Sequence, residues 1–94
     1  MKSVLKKSLL AGDKRRSRLE IIAAIINAAK NGESKTEIAK ISQLNSKHLQ
    51  LYLDQLIRLK LIEKKKVDGE RTYVASQKGI KYLKQYIRLE SENT

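Results

Sequence analysis

The stretch Ser34-Lys-Thr-Glu-Ile-Ala-Lys-Ile-Ser-Gln-Leu-Asn-Ser-Lys-His-Leu-Gln-Leu-Tyr-Leu-Asp-Gln-Leu-Ile-Arg-Leu59 holds two helix starts and a turn too short to keep the helices apart. Ser34 with Glu37 three residues on forms a capping box, in which each side chain answers the other's free backbone N–H. The helix it opens runs from Lys35 to about Ser42, with Ile38, Ala39 and Ile41 facing inward. A turn of three or four residues containing Leu44 and Asn45 follows. Asn45 or Ser46 then caps a third helix running to about Leu59, and Leu49, Leu53, Leu56 and Ile57 form its buried face. Two helices joined so tightly, with the apolar Leu44 inside the joint, predict a helix-turn-helix.

Upstream, Ser17 and Glu20 repeat the capping box, with Asp13 as a competing start, and Asn31-Gly32 offers the left-handed stop. Leu19, Ile22, Ala23 and Ile26 make one apolar stripe on this first helix, while Ile21, Ile25 and Ala28 make another on a nearly opposite face. One stripe suffices for a surface helix. Two stripes predict a sandwiched helix and, in so short a chain, self-association. Downstream, Leu61–Val67 and Glu70–Ala75 flank Asp68-Gly69, a pair that accepts the positive φ angles of a two-residue hairpin turn. Ser76 caps a last helix to about Glu90, whose stripes are Ile80, Leu83, Ile87 and Tyr82, Tyr86, Leu89. Residues 1–13 read as a flexible basic arm, 14–90 as one domain, and 91–94 as a frayed tail. The order helix-helix-helix-hairpin-helix is that of a mostly α (α+β) winged helix.

Composition narrows the function. The 94 residues carry a net charge of +11 and no cysteine. Disulfides and thiolate metal sites are therefore absent, and one histidine cannot build a multi-histidine site. No apolar run is long enough to span a bilayer, and Met1–Leu10 lacks the continuous apolar core of a secretory signal, so a cytoplasmic, nucleoid-associated protein is expected. Catalytic motifs such as the P-loop, HExxH and GxSxG are missing, so no enzyme, cofactor or small-molecule ligand is expected. Residues 1–18 hold seven basic side chains and one acid. Such an excess suits a polyanion, and double-stranded DNA is the expected partner.

In a helix-turn-helix the second helix enters the major groove. Its outward set here is Ser46, Lys47, His48, Gln50 and Leu51, with Asp54 at the margin. Gln50 can read adenine, Lys47 can reach guanine or a phosphate, and Leu51 can touch a thymine methyl. His48 either donates to a phosphate or simply lies on the surface. Lys35 and Thr36, at the start of the preceding helix, suit a phosphate oxygen. Lys64, Lys65, Lys66 and Arg71 make the hairpin a basic wing, and Lys14, Arg15, Arg16 and Arg18 are candidate arm contacts in the minor groove. Ile21, Ile25, Ala28, Tyr82, Tyr86 and Leu89 are the candidate dimer interface. The alternative is a winged-helix protein-interaction module in transcription or replication machinery, with Leu51 as its anchor.

Ser34-Lys-Thr-Glu-Ile-Ala, Leu44-Asn45, Leu53–Leu56, Leu61-Ile62-Glu63, Tyr73 and Lys78-Gly79 resemble the small archaeal winged-helix DNA-binding proteins of the 10a chromatin type. The resemblance spans about Ser17 to Glu90. It implies a homodimer that binds double-stranded DNA in chromatin organisation or transcription regulation, and DNA contact by Lys35, Thr36, Ser46–Leu51 and the wing lysines. Two departures stand out. Lys60 occupies a position where many relatives have glycine, and the last helix is too short for the long dimerising helix of that type, so a compact interface including the first helix is expected. The Lys- and Ile-rich composition fits a thermophilic archaeon, its viruses or its plasmids.

Overall fold

The computed structural model describes residues 16–92. Its elements are α1 (Arg18–Ala28), α2 (Lys35–Ser42), α3 (Ser46–Arg58), β1 (Ile62–Val67), β2 (Glu70–Ala75) and α4 (Gln77–Glu92). This is the winged-helix order expected above. The basic arm at 1–13, with Lys14 and Arg15, lies outside the described residues.

Each helix starts where a side chain satisfies free amides. Ser17 Oγ accepts from the Glu20 N–H and Glu20 Oε1 accepts from the Ser17 N–H, closing a full capping box on α1. Ser34 Oγ accepts from the Glu37 N–H, and Asn45 Oδ1 accepts from the His48 N–H at 2.8 Å. The helix ends are more unusual. After α2, the Leu44 N–H reaches back to the Ala39 carbonyl and the Gln43 N–H to the Lys40 carbonyl. After α3, the Leu61 N–H reaches the Leu56 carbonyl and the Lys60 N–H the Ile57 carbonyl. Both are Schellman endings, which place one residue in the left-handed region. Gln43 (φ 58°) and Lys60 (φ 64°) hold those positions without being glycine. Lys60 thus adopts the conformation that glycine would supply, and the helix ends sharply despite it. Helix α1 stops earlier than its Asn31-Gly32 signal, at Ala28, and Gly32 (φ 89°) turns the chain afterwards.

The hairpin is antiparallel, pairing Ile62 with Ala75 through to Val67 with Glu70, and Asp68 (φ 53°) and Gly69 (φ 81°) form its turn. Two positive φ angles in succession define the turn type whose twist matches paired strands. Glu33 exchanges both backbone hydrogen bonds with Tyr73, and the Ala75 N–H donates to the Ala29 carbonyl, so the wing base is pinned to the α1–α2 connection.

Helix α1 runs through the centre, against α2, α4 and β2. Ala23, Ala24, Ile25, Ile26, Ala28 and Ala29 are all buried there with Ile38, Leu49, Leu53, Leu56, Ile62, Tyr73, Leu83 and Tyr86. The helix is sandwiched, as its two stripes predict, and much of the cover comes from its own chain, with Ile25 and Ala28 spent in that core. Of the first stripe, Leu19 is instead 56% exposed. The last helix also runs two residues further than expected, to Glu92, with an Arg88–Glu92 pair at 3.8 Å across its final turn. Residues 91 and 92 are therefore helical rather than a frayed tail, and residues 93–94 lie outside the described region.

Candidate nucleic-acid interface

Helix α3 carries the candidate site, and its geometry follows from its core stripe. Leu49, Leu53 and Leu56 anchor one side in the protein. At about 100° per residue, the opposite side is the line Lys47, Leu51, Asp54, Arg58. All four are exposed, Leu51 to 61%. Ser46 and His48 are exposed at the amino-terminal end, while Gln50 lies half-buried on the flank. The Asn45 amide nitrogen sits 3.4 Å from His48 Nδ1, which leaves Nε2 open. Gln50 Nε2 donates to Asp54 Oδ1 at 2.8 Å. Arg58 was not singled out in the sequence. Its signal was there to read: it falls about two turns beyond Leu51 on the line of Lys47 and Leu51.

The candidate arm residues separate. Arg18 Nη2 donates to Gln55 Oε1 at 2.7 Å, so this cation stands beside α3 and lines a shallow groove with His48, Leu51, Tyr52 and Gln55. Arg16 turns the other way. Its two terminal nitrogens donate to the carbonyls of Ser42 (2.8 Å) and Gln43 (3.2 Å). A guanidinium there satisfies acceptors that every helix end leaves free, and its charge complements the negative end of α2. In this position Arg16 ties down the turn between α2 and α3. Nothing in the sequence signals a contact between residues so far apart in the chain.

On the wing, strand alternation sorts the cations. Lys64 and Lys66 share the face of buried Ile62, with Tyr73 opposite Lys64 and Arg71 opposite Lys66. Lys65 points to the other face, where it pairs with Glu63 at 3.7 Å. Like charges directly across a ladder disfavour the sheet by a few tenths of a kcal/mol to about 1 kcal/mol. The Lys66–Arg71 pair is therefore a feature that hairpin stability does not ask for. The tip carries two acids, Asp68 in the turn and Glu70 at the start of β2, so the cationic ridge lies further down the strands. Through the Glu33–Tyr73 bridge the wing base adjoins the start of α2, where Lys35 is half-buried and Thr36 exposed.

The candidate dimer residues are dispersed. Ile25 and Ala28 are internal, and Tyr86 is nearly so, its hydroxyl donating to Glu90 Oε2 at 3.2 Å. Ile21 and Tyr82 are half-buried, and Leu89 is 59% exposed. Burial pushes the Tyr82 hydroxyl pKa above its ordinary value. Among the described residues no His, Cys, Asp and Glu cluster could hold a metal, and no helix is long and apolar enough to cross a membrane.

A helix-turn-helix with an exposed cationic ridge and a two-stranded basic hairpin defines the winged-helix class. The winged helix-turn-helix family model matches residues 15–94, and the chain belongs to that family. Among solved structures it is similar to Sso10a-2, a DNA-binding protein from Sulfolobus solfataricus, with a TM-score of 0.71 and 21% identity over 82% of this chain and 84% of that one. It is also similar to TubR from Bacillus thuringiensis bound to 24 bp of tubC, with a TM-score of 0.60 and 18% identity over 72% and 75% of the two chains. MepR, a transcription regulator of a Staphylococcus aureus multidrug efflux pump, gives a TM-score of 0.67 and 19% identity over 97% and 70%. No curated protein sequence matches the chain.

Proposed function

We propose that this protein binds double-stranded DNA as a non-catalytic homodimeric regulator or architectural protein, with α3 in the major groove and the wing on the phosphate backbone. The observation that carries the reading is the exposed ridge of α3, where Lys47, Leu51 and Arg58 stand opposite the buried leucines with Arg18 alongside. Lys64, Lys66 and Arg71 on one wing face, and Lys35 with Thr36 at the start of α2, supply phosphate contacts on either side. The fold shared with Sso10a-2, TubR and MepR supports the same assignment. For the dimer, Ile21, Tyr82 and Leu89 keep accessible apolar surface, and Leu19 joins them as an exposed apolar residue of α1. Paired recognition helices would then meet half-sites roughly 34 Å apart.

Binding driven by counterion release has a definite signature. With about 6–10 phosphates neutralised per dimer, affinity falls about 10³–10⁵-fold between roughly 50 and 200 mM salt. Gln50→Ala lowers discrimination between duplexes, whereas Lys66→Ala weakens all of them alike. A Kd insensitive to salt would overturn the reading. Exposed Leu51 favours the second reading, docking to a protein partner, which predicts little duplex binding at physiological salt.

A further inference from the structure

Asp54 poses a question on the proposed DNA-reading face. Among the described residues of α3 it is the one acidic side chain, it is exposed, and it lies between Lys47 and Arg58 on the outward line. A carboxylate there repels a polyanion. Its visible partner is Gln50, at a distance of 2.8 Å, and a Gln–Asp pair one turn apart adds only about 0.2–0.5 kcal/mol to a helix.

The chemistry of that hydrogen bond fixes the orientation of the Gln50 amide. A carboxylate oxygen only accepts, so the group facing Asp54 must be the amide nitrogen. One Nε2 hydrogen is taken up by Asp54. When the hydrogen given to Asp54 is the one trans to the carbonyl, the carbonyl oxygen and the second N–H are left side by side. They form an acceptor–donor pair, the pattern that meets the N6 amino group and N7 of adenine in the major groove. A rotation of the amide by half a turn would reverse the order and place two carbonyl-type oxygens against each other, which Asp54 prevents.

Resting on the DNA-binding reading above, we propose that Asp54 is a positioning residue for specificity: it holds Gln50 in the orientation that reads adenine, at the expense of overall affinity for DNA. Two substitutions separate charge from position. Asp54→Ala removes both the charge and the acceptor. Asp54→Asn removes the charge but keeps an acceptor oxygen for Gln50. The removal of one negative charge several ångströms from a phosphate strengthens binding to any duplex by roughly 2- to 5-fold at low salt.

The test is binding of the full chain to a randomised duplex library at fixed salt, with circular dichroism to verify that each variant is folded. Wild type is expected to show an adenine preference at one position per half-site, on the order of 5- to 150-fold. Gln50→Ala abolishes it. Asp54→Ala binds all duplexes more tightly but loses most of that preference, Asp54→Asn binds more tightly and retains it, and Gln50→Ala/Asp54→Ala discriminates no worse than Gln50→Ala. If wild type binds duplex and depends on Gln50 while Asp54→Ala keeps its adenine preference, the positioning role is wrong and the DNA-binding reading stands. A preference for cytosine lost in Asp54→Ala would mean that Asp54 contacts a base itself, and would also overturn the proposal. If no salt-dependent duplex binding is found at all, the broader reading fails first.

Discussion

Gly79→Ala offers a sharp test of the packing, because local propensity and tertiary structure predict opposite signs. Gly79 sits in the first turn of α4, and alanine in a helix is favoured over glycine by about 1 kcal/mol. A Cβ at this position, however, would lie 2.2 Å from the Leu61 carbonyl oxygen, a backbone atom that cannot rotate away. That same oxygen accepts the Ser76 N–H at 3.0 Å, while Ser76 Oγ donates to the Lys60 carbonyl and accepts from the Gly79 N–H. To relieve the clash, α4 must move off the α3–β1 junction and loosen this network. Overpacking of this kind costs about 1–3 kcal/mol, and each weakened hydrogen bond about 0.5–1.5 kcal/mol. After the propensity gain is subtracted, a net loss of about 2 kcal/mol is expected. For a domain of this size that lowers Tm by roughly 8–16 °C. Urea unfolding at fixed protein concentration should show a lower midpoint with an unchanged slope. A neutral or stabilised Gly79→Ala protein would refute the close approach of α4 to Leu61.

Lys60→Gly should act in the opposite direction, since a left-handed non-glycine residue costs about 1–2 kcal/mol and the extra entropy of glycine returns about 0.5–1 kcal/mol of that. A gain of up to about 1.5 kcal/mol in urea unfolding is expected. Arg16→Ala leaves the Ser42 and Gln43 carbonyls to water and should lose about 1 kcal/mol, discounted for their partial exposure, with faster amide exchange in the turn at 43–45. Tyr82 has its pKa raised by burial, so its contribution is complete below the unfolded value near 10 and is lost as pH rises above it. Tyr82→Phe should flatten the fall in Tm through that alkaline range. An equally steep fall would show that other groups account for it.

The helix starts and the hairpin turn were legible because they are local. Ser17, Ser34, Asn45 and Asp68-Gly69 act within three residues of themselves, and that is where the boundaries fall. The wider packing was less legible. The two apolar stripes of α1 were correct as periodicity, but their cause was non-local: α2, α4 and β2 close around a helix thinned by alanines. Ends without glycine are equally hard to read, since Gln43 and Lys60 take left-handed angles under pressure from the Schellman hydrogen bonds and from Leu61, which is buried just after the second. At the candidate site, the outward residues of α3 followed from its leucine spacing. The division of the basic residues did not. Arg16 is drawn to carbonyls 26 and 27 residues away, and strand register separates Lys65 from Lys64 and Lys66.

The most direct measurement is titration of the isotope-labelled protein with a short duplex, followed by amide chemical shifts. The account predicts that the largest changes fall on residues 46–54 and 64–71 and vanish in high salt. Shifts confined to the exposed ends of α1 and α4, with the α3 ridge unmoved, would contradict it.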